Sequence, residues 1–207
     1  MNLSRGLIAV SLLGLLAGLC GGGRSSPQRT FTGADGTFRF KYSYGLVACK
    51  QEAPKNVGEP GEWSCGACND SETNWKTTAC FELPKGALNL NSGTYYGRFV
   101  VQEPANEVTE QTCLDAKKGE VRQANDKVIQ GVAFKVFHPD QASASANEEW
   151  ESYRTYHGSN CYALTIWKEL PETASSDPRA SKKSRKEGER VLENLLADPV
   201  KTFEFLK

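Results

Sequence analysis

Gly36-Thr37-Phe38-Arg39-Phe40-Lys41-Tyr42 alternates aromatic and charged side chains with period two. An extended chain therefore carries Phe38, Phe40 and Tyr42 on one face and Arg39 and Lys41 on the other. A strand with one apolar face needs a second layer to cover it, and the rest of the chain supplies candidates. Residues 77–83 alternate in the same way, with Ala79, Phe81 and Leu83 set against Cys80 and Glu82. Residues 93–103 carry Tyr95, Tyr96, Phe99, Val100 and Val101, apolar on both faces, as expected of a central strand. A further short extended piece is expected at 45–49. Residues 127–137 read as one more strand, with Val128, Val132, Phe134 and Val136 on one face.

Two helices and a long hairpin complete the order. Thr109 is placed to cap a short helix, with Val108 packing on Cys113, Glu110 at the positive end and Lys117-Lys118-Gly119 closing it. Residues 149–157 and 161–168 form a hairpin around Gly158-Ser159-Asn160, a register that sets His157 opposite Cys161 and Tyr156 opposite Tyr162. The His157–Cys161 neighbourhood reads as a bridged cysteine beside a rim histidine rather than a nucleophile and its base. Asp177-Pro178 opens the last helix. Gly188, Val191, Leu192, Leu195 and Leu196 share one face of it as a core stripe. Lys182, Lys183, Arg185, Lys186 and Arg190 interleave with Glu187, Glu189 and Glu193 as a solvated face. Asp198-Pro199 is expected to stop the helix, with residues 200–206 as a closing strand. The class is α+β: helices over a central, mostly antiparallel twisted sheet.

The chain has 207 residues, with 25 basic and 25 acidic side chains. Zero net charge argues against an electrostatic nucleic-acid binder. Two histidines leave little material for a His-based metal site or a relay. There is no Gly-rich phosphate loop, no Gly-x-Ser-x-Gly elbow and no internal repeat. Glu148, Glu149 and Glu151 run along one strand end without a partner visible in sequence. The expectation is a non-enzymatic domain without cofactor or metal.

The first residues have a different character. Arg5 precedes an apolar run from Gly6 to Cys20, and Gly21-Gly22-Gly23 follows. This is the pattern of a secretory signal peptide over 1–23, with a polar linker over 24–35 and a single domain over 36–207. The run is shorter than the ~20 residues that span a bilayer as a helix. Cys20 lies where bacterial lipoproteins carry lipid, although Leu19 occupies a position that is usually small; lipid attachment and simple secretion both stay open, and any membrane contact would pass through Cys20. Removing the segment takes away Arg5 and no acidic residue, leaving one negative charge. A secreted or periplasmic location follows.

Beyond Cys20 there are six cysteines: Cys49, Cys65, Cys68, Cys80, Cys113 and Cys161. In an exported chain these read as three disulfides, with 15 possible pairings. Loop entropy favours long closures: Cys49 to Cys80 would stabilise by ~3.6 kcal/mol, Cys113 to Cys161 by ~4, and Cys65 to Cys68 by only ~2. Trp63-Ser64-Cys65-Gly66-Ala67-Cys68 resembles the thioredoxin active-site string, which would make Cys65 and Cys68 a redox pair. Ser64 and Ala67 depart from that string, and the loop that follows, with Asp70 and Glu72, would raise a thiolate pKa. A zinc site needs four ligands, and a second close cysteine pair is missing from the sequence. Residues 50–76 form a long polar insertion. Its Trp63 and Trp75 are the candidates for an exposed partner surface facing a protein or cell-envelope component.

Three stretches resemble the PsbP-like family: Thr37-Phe38-Arg39-Phe40-Lys41-Tyr42, Gly131-Val132-Ala133-Phe134-Lys135-Val136-Phe137, and a closing helix running into Phe203-Glu204-Phe205. The resemblance spans roughly residues 31 to 207. It implies an α/β/α sandwich around an antiparallel sheet, here disulfide-stapled, and carries over no functional residue. The six cysteines and the 50–76 insertion depart from that family's pattern.

Overall fold

The computed structural model describes residues 27–52, 62–68, 74–90, 93–143, 147–171 and 178–206. The expected signal segment, Cys20 and the Asp177 cap lie outside the described residues. The strands are β1 (Gln28–Thr32), β2 (Phe38–Ser43), β3 (Val47–Ala48), β4 (Trp75–Glu82), β5 (Leu88–Leu90), β6 (Gly93–Pro104), β7 (Glu120–Arg122), β8 (Lys127–Ile129), β9 (Val132–Pro139), β10 (Glu148–His157), β11 (Asn160–Glu169) and β12 (Glu204–Phe205). Two helices, α1 (Glu110–Leu114) and α2 (Pro178–Lys201), and a 3₁₀ turn, Gly66–Cys68, complete the set. All pairings are antiparallel. The class is α+β, as the sequence indicates.

The main sheet runs β3-β4-β6-β11-β10-β9-β7, with β5 beside β6 and β8 beside β9. It begins on a two-residue strand and ends on a three-residue one. A second sheet, β1-β2-β12, packs with α2 over one face, here called the inner face. Between the two sheets lies a cluster of rings. Phe40 stands 5.2 Å from Phe81 and 5.1 Å from Phe99, and Phe38 lies 5.2 Å from Phe203. Their edge-to-face and stacked geometries add to what area burial alone supplies. The helix α2 buries Gly188, Leu192, Leu196 and Val200, an every-fourth-residue ridge, together with Pro199. Two glycines let it approach the sheet: a Cβ on Gly188 would lie 2.2 Å from the Tyr95 ring, and one on Gly97 would lie 2.7 Å from Leu196. The outer face of the sheet carries α1, the 3₁₀ turn and all three disulfides.

Several expectations need correction. Residues 28–32, expected within the linker, form β1, because Phe31 packs 5.2 Å from Phe40 and 5.1 Å from Phe81. Residues 127–137 are a hairpin rather than one strand: Gln130 and Gly131 take φ of 46° and 84°, and Ile129 faces Val132. The β10–β11 turn holds two residues, not three. Gly158 and Ser159 have φ of 57° and 67°, the left-handed pair that matches strand twist, so His157 faces Asn160 and Tyr156 faces Cys161. The helix α1 ends at Leu114, with its Thr109 cap and Thr112 exchanging bonds as a capping box. The helix α2 runs through Pro199 to Lys201, where burial of Val200 holds the last turn to the core, and the closing strand shrinks to β12.

Candidate functional site

Successive strand residues alternate between faces, so register determines which side chains share the outer face. Trp150, Trp167, Arg98 and Glu82 form one row across β10, β11, β6 and β4. Ser152, Thr165, Val100 and Cys80 form the next, and Arg154, Ala163, Gln102 and Thr77 the third. A bulge between Thr77 and Ala79 is what lets Thr77 and Cys80 point the same way. Together these rows floor a groove of about 170 Å³, walled by Cys68 on one side and by Lys117 and Glu120 beyond α1 on another.

The groove joins aromatic planes to cations. The Arg98 guanidinium lies 4.9 Å over the Trp167 ring, and Tyr96 meets Trp167 edge-on at 5.9 Å. Lys117 Nζ lies 4.2 Å over Trp75. Such cation–ring contacts hold charge at an apolar wall, each worth ~0.5–2 kcal/mol depending on desolvation. Tyr96 donates to Glu82 Oε2 at 2.7 Å, and burial followed by that bond pushes its hydroxyl pKa well above the usual phenol range. At the third row Arg154, only 3% exposed, forms a forked pair with Glu120, including Nη1 to Oε2 at 2.9 Å, and also donates to the Asp115 carbonyl at 3.3 Å. Its guanidinium carbon lies 4.4 Å over Phe137. Its Nε–H is buried, with no acceptor among the described residues.

Disulfides frame this face. Cys49 bonds Cys65, Cys68 bonds Cys80, and Cys113 bonds Cys161. All six cysteines expected in bridges are thus paired, and the 113–161 closure is the long loop favoured by entropy. Cys49–Cys80 does not form, and neither does the Cys65–Cys68 bridge of the oxidoreductase expectation. Cys65 precedes and Cys68 ends one 3₁₀ turn, Cys68 N–H donating to the Cys65 carbonyl at 3.0 Å; Cys65 reaches instead to Cys49, just past β3, and Cys68 to Cys80 of β4. Cys68–Cys80 fixes the loop wall over β4, and Cys113–Cys161 fixes α1 over β11.

The structure places the sequence candidates unevenly. Trp63 is half-buried and packs on the Cys49, Cys65, Cys68 and Cys80 cluster, in a bridge with Gln51. Trp75 is the first residue of β4, not part of a loop; it is 8% exposed and packs beside Cys113 and Cys161. It lines the groove floor rather than projecting outward. Trp150 and Trp167, directly paired across β10 and β11, are the aromatics that sequence reasoning missed. Counting the hairpin outward from a two-residue turn would have found them.

A second cleft, of about 580 Å³, lies between α2 and the inner face and holds the carboxylates noted in the sequence. Several of its charges are paired with one another. Lys168 Nζ reaches Glu149 at 2.8 Å and Glu193 at 3.4 Å. Burial lowers the Lys168 pKa, but the two carboxylates outweigh it and hold the ammonium above its ordinary value. His138 lies 3.7 Å from Glu151, which accepts from the Tyr153 hydroxyl. Burial and that bond keep the Tyr153 proton on, which suits structure more than proton transfer. His157 is exposed and stacks on Phe205 at 4.0 Å.

No protein-family model matches the chain, and no curated protein matches it. Among solved structures, the 1.9 Å crystal structure of the Saccharomyces cerevisiae Ran-binding protein Mog1p is similar at 9% identity, covering 87% of this chain and 96% of that one, with a TM-score of 0.41. That likeness is too slight to carry an inference. Among the described residues, no helix is long and apolar enough to cross a membrane. What fold and site define is an antiparallel α+β domain with a disulfide-framed, tryptophan- and arginine-lined groove on one sheet face.

Proposed function

We propose that this is an exported, non-enzymatic binding domain whose outer-face groove takes an extended segment of a partner protein. The observation that carries the reading is the outer-face row of Trp150, Trp167 and Arg98, with the Arg98 guanidinium 4.9 Å over the Trp167 ring. The groove volume, about 170 Å³, is below the ~300 Å³ at which small-molecule sites begin, and suits an anchoring side chain. Half-buried paired tryptophans beside an arginine are of the residue types that dominate binding hot spots. Three bridges favour an oxidising compartment, in keeping with a signal peptide over 1–23. The family resemblance, the linker and lipid attachment at Cys20 belong to the same proposal; the mass of the mature N-terminus separates a lipidated from a released form.

A displayed library of random peptides tests the groove. The protein should enrich peptides that pair a carboxylate with an aromatic or large apolar residue. A Trp150→Ala/Trp167→Ala variant with an unchanged melting curve should lose at least tenfold in affinity. Equal binding by that variant, or enrichment only on a parallel array of envelope glycans, would refute the protein-segment reading.

A further inference from the structure

The sequence offers one cysteine knuckle, Cys65-Gly66-Ala67-Cys68, and no second close pair. The sheet supplies that second pair in space. Val47 faces Glu82 and Ala48 faces Phe81, and the next residue, Cys49, donates its N–H to the Cys80 carbonyl at 2.9 Å. Cys49 and Cys80 are therefore cross-strand neighbours beneath the knuckle. The Sγ atoms of Cys49, Cys65 and Cys68 all lie within 4.8 Å of one another, and Cys80 Sγ is bonded to that of Cys68. All four side chains are buried, with Val100 and Trp63 packed around them.

Four thiolates on a tetrahedral zinc ion, each ~2.3 Å from the metal, stand about 3.8 Å apart. Three of the four sulfurs already lie within reach of one such centre, and Cys80, released from Cys68, is the fourth ligand that must swing toward it. We propose that Cys49, Cys65, Cys68 and Cys80 form a redox-gated metal site: two disulfides when oxidised, and a tetrahedral four-thiolate site for Zn²⁺, or a similar soft divalent cation, when reduced. The balance is simple. Two dithiol reductant molecules each deliver two electrons and two protons; both S–S bonds break, four thiols form, and two reductant disulfides leave. Zn²⁺ then displaces four protons and forms four Zn–S bonds. Cys113 and Cys161 lie apart, beside Trp75 and Ala163, and take no part.

Cobalt(II) reports the geometry through the intense absorption of tetrahedral thiolate cobalt. Full-length protein is titrated before and after reduction with a dithiol that is then removed, and back-titrated with Zn²⁺. The oxidised protein should show no such absorption. The reduced protein should bind one Co²⁺ per chain, displaced by one Zn²⁺. Cys65→Ser and Cys68→Ser should each lose it, while Cys113→Ser/Cys161→Ser should keep it. If reduction unfolds the chain, zinc should restore its circular dichroism, since a structural site couples binding to folding. Absence of cobalt absorption in the reduced protein, retention in Cys68→Ser, or unfolding that zinc does not reverse would overturn the proposal.

Discussion

Gly188 of α2 rests directly on the ring of Tyr95 in β6: a Cβ added at position 188 would fall 2.2 Å from Cζ. The same tyrosine donates its hydroxyl to the Arg185 carbonyl at 3.1 Å, so ring and helix are locked from two directions. On helix propensity alone, Gly188→Ala gains up to ~1 kcal/mol. Overpacking costs ~1–3 kcal/mol. With the Tyr95 ring fully buried there is no free direction for it to move, and the steric cost wins. Gly188→Ala should lower Tm by several degrees, at ~2–4 °C per kcal/mol for a domain of this size. An unchanged or raised Tm in a calorimetric scan would show that α2 can slide.

Arg154 and Glu120 make a buried pair, with side chains 4% and 8% exposed. Removing one member strands a charge, at ~3–5 kcal/mol, whereas replacing both with apolar residues of similar volume is often neutral or stabilising. Glu120→Leu should therefore destabilise strongly and Arg154→Met/Glu120→Leu should recover most of the loss. Chemical denaturation of the two variants checks this; a double variant no better than the single would show that the pair's fork to β7 is needed for the fold.

Trp75 tests the corrected placement. Read as an exposed loop residue, its replacement by alanine leaves stability untouched. Buried beside Cys113 and Cys161 and capped by Lys117, its removal should cost ~3–5 kcal/mol. A melting curve of Trp75→Ala that superimposes on wild type would restore the loop reading.

Glu103 on β6 has its carboxyl pKa raised, by burial first and then by Asp35, with Lys76 opposing. A raised carboxyl contributes stability below its unfolded pKa and loses it as pH rises through the folded one. At about pH 7, well above the ordinary Glu value of ~4.3, the ionised side chain is a burden. Glu103→Gln should melt higher than wild type there, by a few degrees at most because the group is half-exposed, and the gap should close at about pH 3. A gap that widens on acidification would reverse the sign.

The sequence made the fold legible through period and caps. Phe38, Phe40 and Tyr42 announced a strand, and Thr109 announced α1. The register of the long hairpin was not legible, and the site was lost with it. A turn of three residues sets Trp150 against Lys168; the true two-residue turn sets it against Trp167. One residue of slip exchanges every face, so tryptophans that share a floor read as unrelated. The strand β1 was hidden because only Phe31 marks it among polar neighbours. The pairing of Cys49 with Cys65 was not readable because loop entropy separates the alternatives by less than the geometry of a single 3₁₀ turn does.

The main sheet ends on β3 and β7, two and three residues long. A chain with no net charge gains no protection from mutual repulsion against clumping, so its solubility rests on shape. Long bare edges invite strand-to-strand growth, and terminal strands this short offer little ladder of their own. β3 pairs with β4 only at Glu82 and Phe81, so the earlier part of β4 from Trp75 owes any shielding of its edge to side chains and loops rather than to a neighbouring strand.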